Sequence, residues 1–247
     1  MIEVSGISCE VRGTTILHDI SFTTARTCAI VGVNGIGKST LLRTLAGIRK
    51  AASGQVLIDG HPVHLMKPRE RATRLAFLGQ EEVLGGDLKV HEVVTLGRLP
   101  HMRPWEKGGN VDEALAQVGL SHLKDRYCDE LSGGQRRLVL VARMIAQDTP
   151  VVLLDEPTNH LDVRHQLEIL EILRGLNKVV VATMHDLDLA LAHFDDVVVL
   201  HEGTVLATGP SDEVLVPENI RKAFRVQAQV VRLAQLERPH LVIEEKE

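Results

Sequence analysis

The sequence predicts an α/β fold with a parallel-core sheet, an antiparallel β edge and an inserted helical stretch. Three observations carry that prediction. Short β-branched and aliphatic runs alternate with helical patterns along the chain. Aromatics make up only 2% of 247 residues, so the core must be built from Val, Leu, Ile and Ala. Between residues 82 and 148 there are helical patterns and hardly any strand signal.

Taken in order, residues 2–4 and 16–22 read as antiparallel strands. Residues 27–31, 74–78, 151–154 and 179–182 read as buried strands, each bounded by polar or glycine punctuation. Continuous apolar runs such as Val151-Val152-Leu153-Leu154 suit parallel strands covered on both faces. Helices are expected from Lys38, near Pro68, near Val90, near Val111, after Ser132 and after Asp162. In the last, Val163, Leu167, Leu170 and Leu173 recur near the helical period, and Asp162 stands where an N-cap belongs. Residues 197–200 and 204–207 flank Glu202-Gly203, a hairpin signal. The tail reads as a helix over 217–224 and two short strands, 229–233 and 241–243. The organisation expected is one domain over 1–247: residues 1–81 and 149–247 form the α/β body, and 82–148 a helical subdomain inserted into it.

The net charge of −5 argues against an electrostatic nucleic-acid binder. The local basic run from Lys67 to Arg74 reads as a solvated helix face. Cys9, Cys28 and Cys128 make no CxxC pair and no metal-ligand spacing, which suits a reduced compartment. Neither a charged n-region nor an 18-residue apolar run is present, so no signal peptide or membrane span is expected. Twelve histidines are present, and His61/His64 and His160/His165 lack metal spacing.

Gly32-Val33-Asn34-Gly35-Ile36-Gly37-Lys38-Ser39 fits G-x-x-x-x-G-K-[ST], the P-loop pattern. Its glycines let the backbone curl so that N–H groups point inward around phosphate oxygens. The helix that follows, beginning Lys38-Ser39-Thr40, adds the positive end of its dipole. Lys38 supplies a point charge to the β- and γ-phosphates, and the Ser39 hydroxyl is a Mg²⁺ ligand. An apolar strand before the motif and a helix after it provide the setting that the pattern requires. The expected fold is therefore a P-loop NTPase, with ATP and Mg²⁺ as ligands.

Asp155 and Glu156 end the apolar run Val151–Leu154. An isolated Asp-Glu pair would be an ordinary solvated strand end. After a buried strand in a chain with a phosphate cradle, it falls on the sheet edge where ligands bind. Asp155 there would hold Mg²⁺ through water. Strand alternation would turn Glu156 the other way, toward the attacking water as general base or at least as its orienting acceptor.

Leu131-Ser132-Gly133-Gly134-Gln135 places a serine and two glycines at a helix start, a second anion-binding terminus. One nucleotide needs one cradle, so the second terminus suggests that the chain completes a neighbour's site. At these residues the chain resembles the ATP-binding subunits of ABC transporters, over nearly its whole length. The resemblance implies a head-to-tail homodimer in which Ser132, Gly133, Gly134 and Gln135 cap ATP held by the other copy. It matches Gln80 to the Q-loop, with its amide on Mg²⁺ or the attacking water. Asn159-His160-Leu161-Asp162 matches the D-loop, with Asp162 across the dimer interface. His185 matches the switch histidine, at the γ-phosphate.

The same resemblance implies transmembrane permease subunits as partners, an extracytoplasmic substrate-binding protein in the full system, and a place on the cytoplasmic face of the membrane. It is closest to ATPases of importers for iron–siderophore complexes, haem and cobalamin. The stretches 68–72, 97–101, 131–137 and 159–167 carry that likeness. An exporter cassette, or an ABC ATPase acting on ribosomes or DNA, is the alternative. One position departs from the family pattern: Val11 stands where an aromatic usually stacks on adenine. Arg12 could stack its guanidinium there in part.

Overall fold

A computed structural model of the chain describes residues 1–80, 87–102, 110–232 and 238–244. The chain forms two compact units, Met1–Leu65 with Asn177–Glu247, and Met66–Leu176. The first unit opens with β1 (Ile2–Val11), β2 (Thr14–Thr24), β3 (Thr27–Val31), α1 (Lys38–Leu45), β4 (Ser53–Ile58) and β5 (His61–Pro62). The second holds α2 (Pro68–Arg74), β6 (Leu75–Leu78), α3 (Val90–Leu96), α4 (Val111–Gln117), α5 (Gly133–Ala146), β7 (Val151–Leu154) and α6 (Val163–Gly175). The first unit resumes with β8 (Val179–Thr183), α7 (Leu187–His193), β9 (Asp196–His201), β10 (Thr204–Pro210), α8 (Ser211–Val214), α9 (Pro217–Phe224), β11 (Gln227–Val231) and β12 (His240–Glu244).

In the first unit β3 lies between β8 and β9, parallel to both, and β10 returns antiparallel to β9. Every residue of β3 and of β8 is buried, as apolar strands covered on both faces should be. Two carboxylates fix the register where β9 begins. Asp195 Oδ2 accepts from Thr27 Oγ1 at 2.8 Å, and Asp196 accepts from Thr24 Oγ1 at 2.8 Å and Arg26 Nη2 at 2.6 Å. A separate sheet, ordered β2-β1-β4-β5, supplies the antiparallel edge. The expected parallel core and antiparallel edge are thus both present.

Several boundaries differ from expectation. β1 and β2 run far beyond the apolar cores that marked them, because antiparallel pairing along the whole hairpin satisfies their polar residues. Arg74 ends α2 rather than starting β6. β4 has no counterpart in the expectation, since it opens with exposed Ser53-Gly54-Gln55 and buries only Val56 and Ile58. α7 and α8 are also unannounced; they are seven and four residues long, too short for a periodic pattern. Of the expected tail strand 229–233, residue 233 lies outside the described residues.

In the second unit β6 and β7 are parallel, with Leu75 opposite Val151 and Leu78 opposite Leu154. Among the described residues of 82–148 no strand occurs; Lys89 and Tyr127 form one isolated bridge. α5 is the central helix, burying Leu138, Val139, Leu140, Val141, Ala142 and Met144. α3 and α4 pack on it. α6 buries Ile169, Leu170 and Leu173, while Val163 is 71% exposed. The periodic set that announced this helix is therefore not one buried face. The basic helix α2 buries none of its residues, in keeping with a solvated face, although Arg69 Nη2 donates to Met102 O at 2.7 Å.

Candidate functional site

In the first unit, β3 ends at Val31 and the chain turns through Gly32–Gly37 into α1. Gly35 and Gly37 have φ of 79° and 108°, the left-handed side that lets this loop close tightly. Gly37 is the N-cap of α1, so the cap offers no side-chain oxygen, and the first turn holds no acid. That leaves the positive end of the helix suited to an anion brought from outside. Lys38 is 5% exposed; its Nζ donates to Gly32 O at 2.8 Å and Val33 O at 3.4 Å. A Cβ on Gly32 would meet Leu200 O at 2.9 Å, so β9 presses on the loop from behind. Because Ile30 pairs with Thr183, His185 leaves β8 at the same sheet end as the loop leaves β3. There it is exposed, just before Asp186, which caps α7 through the Leu189 N–H at 3.0 Å.

In the second unit, Leu78 and Leu154 end β6 and β7 side by side, which brings Gln80 near the acids. Asp155 is fully buried and Glu156 is 8% exposed. Gln80 Nε2 donates to Glu156 Oε2 at 2.7 Å, and Asn159 Nδ2 donates to the same oxygen at 2.9 Å. The reason expected for Glu156's orientation is corrected here. β7 stops at Leu154, and Glu156 has φ of 47°, so a left-handed turn and not strand alternation aims its side chain. Such a conformation is uncommon for a residue with a side chain and concentrates at sites where geometry is imposed.

Two residues to which the sequence reading gave no role of their own shape this cluster. Asn159 is the second amide on Glu156. Arg137, buried on α5, donates to Gly79 O, Pro157 O, Asp155 O and Glu156 O at 3.0 to 3.4 Å. One guanidinium thus ties the chain after β6 to the chain after β7. Its donors face carbonyls in several directions, which only the rigid fork of Arg can serve. A lone Asn or Arg carries no spacing signal; both entered the sequence reading only inside family-like stretches, Asn159 in 159–162 and Arg137 in 131–137.

At the start of α5, Ser132 and Gln135 form a reciprocal cap. Gln135 N donates to Ser132 Oγ at 3.2 Å, and Ser132 N donates to Gln135 Oε1 at 3.1 Å. The serine oxygen still carries its own hydrogen, so it can donate to an anion while accepting from Gln135. Gly133 and Gly134 form the first turn behind it. Asp162 caps α6 as expected, accepting from His165 N at 3.0 Å. That backbone N–H, and then the His165 imidazole, hold the Asp162 carboxyl below the usual carboxylate range. The cap is therefore in force above that range and is lost as pH falls through the depressed value.

The first unit thus gathers the loop 32–37, Lys38, Ser39, Thr40 and His185 at one sheet edge. The second gathers Gln80, Asp155 and Glu156, with Ser132–Gln135 and Asp162 at the starts of its two long helices. A serine hydroxyl, an aspartate and a glutamine amide oxygen are hard donors of the kind Mg²⁺ takes, so Ser39 in the first unit, and Asp155 and Gln80 in the second, each suit such an ion by donor chemistry alone. Val11 closes β1 opposite Thr14, and Arg12 follows at φ 52° in the hairpin turn.

The profile of the ABC transporter family matches residues 17–159. The chain is 40% identical over 238 residues to the cobalamin import ATP-binding protein BtuD of Halobacterium salinarum, covering 93% of this chain. It spans 60% of that relative's length. It is 38% identical over 212 residues to the ferric enterobactin transport ATP-binding protein FepC of Escherichia coli, covering 82% of this chain and 78% of that one. A dimeric structure of the ATP-binding cassette MJ0796, in a post-hydrolysis state with ADP and phosphate, is similar with a TM-score of 0.76. It is 25% identical and covers 85% of this chain and 99% of the other.

Proposed function

Because the chain belongs to the ABC transporter ATP-binding family, we propose that it binds and hydrolyses ATP to energise import of an iron chelate, haem or cobalamin through partner transmembrane subunits. The observation that carries hydrolysis is the Glu156 carboxylate, held on one oxygen by Gln80 and Asn159. The cargo class is supported by the names of the relatives, which import cobalamin and ferric enterobactin. No helix among the described residues is long and apolar enough to cross a membrane; in this reading the path for cargo would belong to the partner subunits. Those subunits would place this chain at the cytoplasmic face, with an extracytoplasmic substrate-binding protein delivering cargo.

Lys38 and the N–H groups of the loop 32–40 would bind the phosphates. Ser39, Asp155 and Gln80 would hold Mg²⁺, which neutralises charge on the phosphate oxygens. Glu156 would orient and deprotonate the attacking water, and His185 would contact the γ-phosphate. Ser132, Gly133, Gly134 and Gln135 of a second copy would close over that phosphate, with Asp162 at the same interface. ATP then joins two copies head to tail, and loss of the γ-phosphate lets them part. The dimeric cassette with ADP and phosphate supports the pairing of two copies.

Two measurements test the proposal. Lys38→Ala should reduce phosphate release from Mg-ATP by on the order of 10²-fold or more, the loss expected when a transition-state charge contact is removed. It should also abolish uptake of labelled ferric siderophore or cobalamin in cells that depend on this chain. Full turnover by that variant would remove Lys38 from the phosphate site, no phosphate release by the wild-type protein would overturn the ATPase assignment, and full uptake by the variant would overturn the import assignment. The base is a separate matter. With Val11 in place of a stacking aromatic, a contact worth about 1–3 kcal/mol is missing while the phosphate contacts remain. Competition between ATP and GTP should therefore show a preference below about a hundredfold. A larger preference would show that another group reads the purine.

A further inference from the structure

The first turn of α6 does more than begin a helix. The Asp162 carboxylate accepts the backbone N–H of His165 at 3.0 Å and also meets the His165 ring, with Nδ1 2.8 Å from Oδ1 and 2.9 Å from Oδ2. A carboxylate only accepts, so Nδ1 carries the hydrogen and the ring is fixed in both tautomer and orientation. One face of the ring lies over Gly134, whose added Cβ would be nearly equidistant from Cγ, Cδ2 and Nε2. A Cβ placed on Gly134 would stand 2.7 Å from both Cδ2 and Nε2 of His165. The imidazole thus occupies the space that a side chain at Gly134 would need, directly behind the Ser132–Gln135 turn. The next residue adds to this frame, since Gln166 Nε2 donates to Thr158 O at 3.2 Å and Leu161 O at 3.1 Å.

Stability does not account for this arrangement. The Asp162 side chain is 67% exposed, and hydrogen-bonded pairs at such surfaces stabilise little. What the contact does supply is position. It joins the loop 158–162, which continues from Glu156, to the tip of the helix that begins at Gly133.

We propose that His165 is a positioning residue: oriented by Asp162, its ring sets the Ser132–Gly134 turn and couples that turn to Asp162. This rests on the ATPase assignment above and deepens it. When Asp162 engages the second copy, the ring shifts with it, and the helix tip that closes over the phosphate follows. Nucleotide binding by a single copy, which uses the loop 32–40 of the other compact unit, does not involve this contact.

The test is a kcat-against-KM comparison on purified full-length protein. His165→Ala should lower kcat by about tenfold or more, with KM for ATP within about twofold of wild type, the signature of an interaction needed for turnover and not for binding. Its thermal midpoint should stay within a degree or two, because a pair whose carboxylate is largely in solvent stabilises little. Amide exchange at residues 133–136 should quicken while β3 is unchanged. His165→Asn, whose amide can still donate to Asp162 over Gly134, should recover most of the turnover. Unchanged kcat in His165→Ala would overturn the proposal. So would equal loss in both variants, or a fall in kcat that is accompanied by a large drop in midpoint. Wild-type protein that releases no phosphate from ATP would instead remove the ATPase assignment itself. Amide exchange would then still report whether the ring holds the turn.

Discussion

Glu156→Gln is expected to lower the rate of phosphate release by about 10²–10⁴-fold, the contribution usual for a positioned general base, while leaving the fold intact. Both amide donors fall on one oxygen, with Gln80 at 2.7 Å and Asn159 at 2.9 Å. A glutamine at 156 can turn its own carbonyl oxygen to the same two N–H groups, so the cluster keeps its hydrogen bonds and its volume. What it loses is the ability to take a proton. Binding of ATP should therefore survive and the closed pair of copies should live longer, visible as an ATP-dependent dimer on size exclusion. A variant that hydrolyses ATP at the wild-type rate would remove Glu156 from the mechanism. A variant that unfolds would contradict the isosteric replacement.

This site was partly legible because some of its chemistry depends on local spacing and some does not. The loop 32–37 could be read directly, since its glycines, Lys38 and the helix start are consecutive, and each requirement falls on a fixed offset. The start of α5 was legible as a serine and two consecutive glycines opening a helix, whereas its reciprocal Ser132–Gln135 cap came from the structure. Glu156 does stand in the cluster with Gln80, but the reason given for its orientation does not hold, because no sequence pattern marks a left-handed glutamate. Arg137 was illegible, as its partners are the carbonyls of Gly79 and 155–157, far apart in sequence and gathered by the pairing of β6 with β7. β4 was hidden for a related reason: its pairing with β1 carries exposed residues that have no β pattern of their own. The stretch 97–101 was read only as a family likeness, and its physical role emerges from the packing of α3 on α5.

Gly97→Ala is expected to cost about 3 kcal/mol of stability, near the upper end for overpacking a tight contact. Gly97 ends α3 with ordinary helical φ and ψ of −59° and −27°, so conformational freedom is not the issue. Space is. A Cβ there would overlap Arg143 O and lie 3.2 Å from Gln147 N, both in the backbone at the end of α5. A backbone held in a helix cannot swing aside as a side-chain tip can, so α3 must move off α5. The residues that follow would move too. Arg98 Nη1 donates to Ala146 O at 2.9 Å, and the His101 ring bonds Gln147 O at 2.8 Å. These satisfy carbonyls that the helix leaves unpaired, with a cation at the negative end of its dipole. Each such bond contributes about 1 kcal/mol when intact. At roughly 2–4 °C per kcal/mol for a chain of this size, the melting midpoint should fall by about 6–12 °C. Gly175→Ala is the control, because a Cβ at Gly175 meets nothing within 4 Å and should be neutral or mildly stabilising. Equal midpoints for the two variants would mean that α3 and α5 are not in backbone contact in solution. The support that holds the far end of the Ser132-led helix would then have to come from elsewhere.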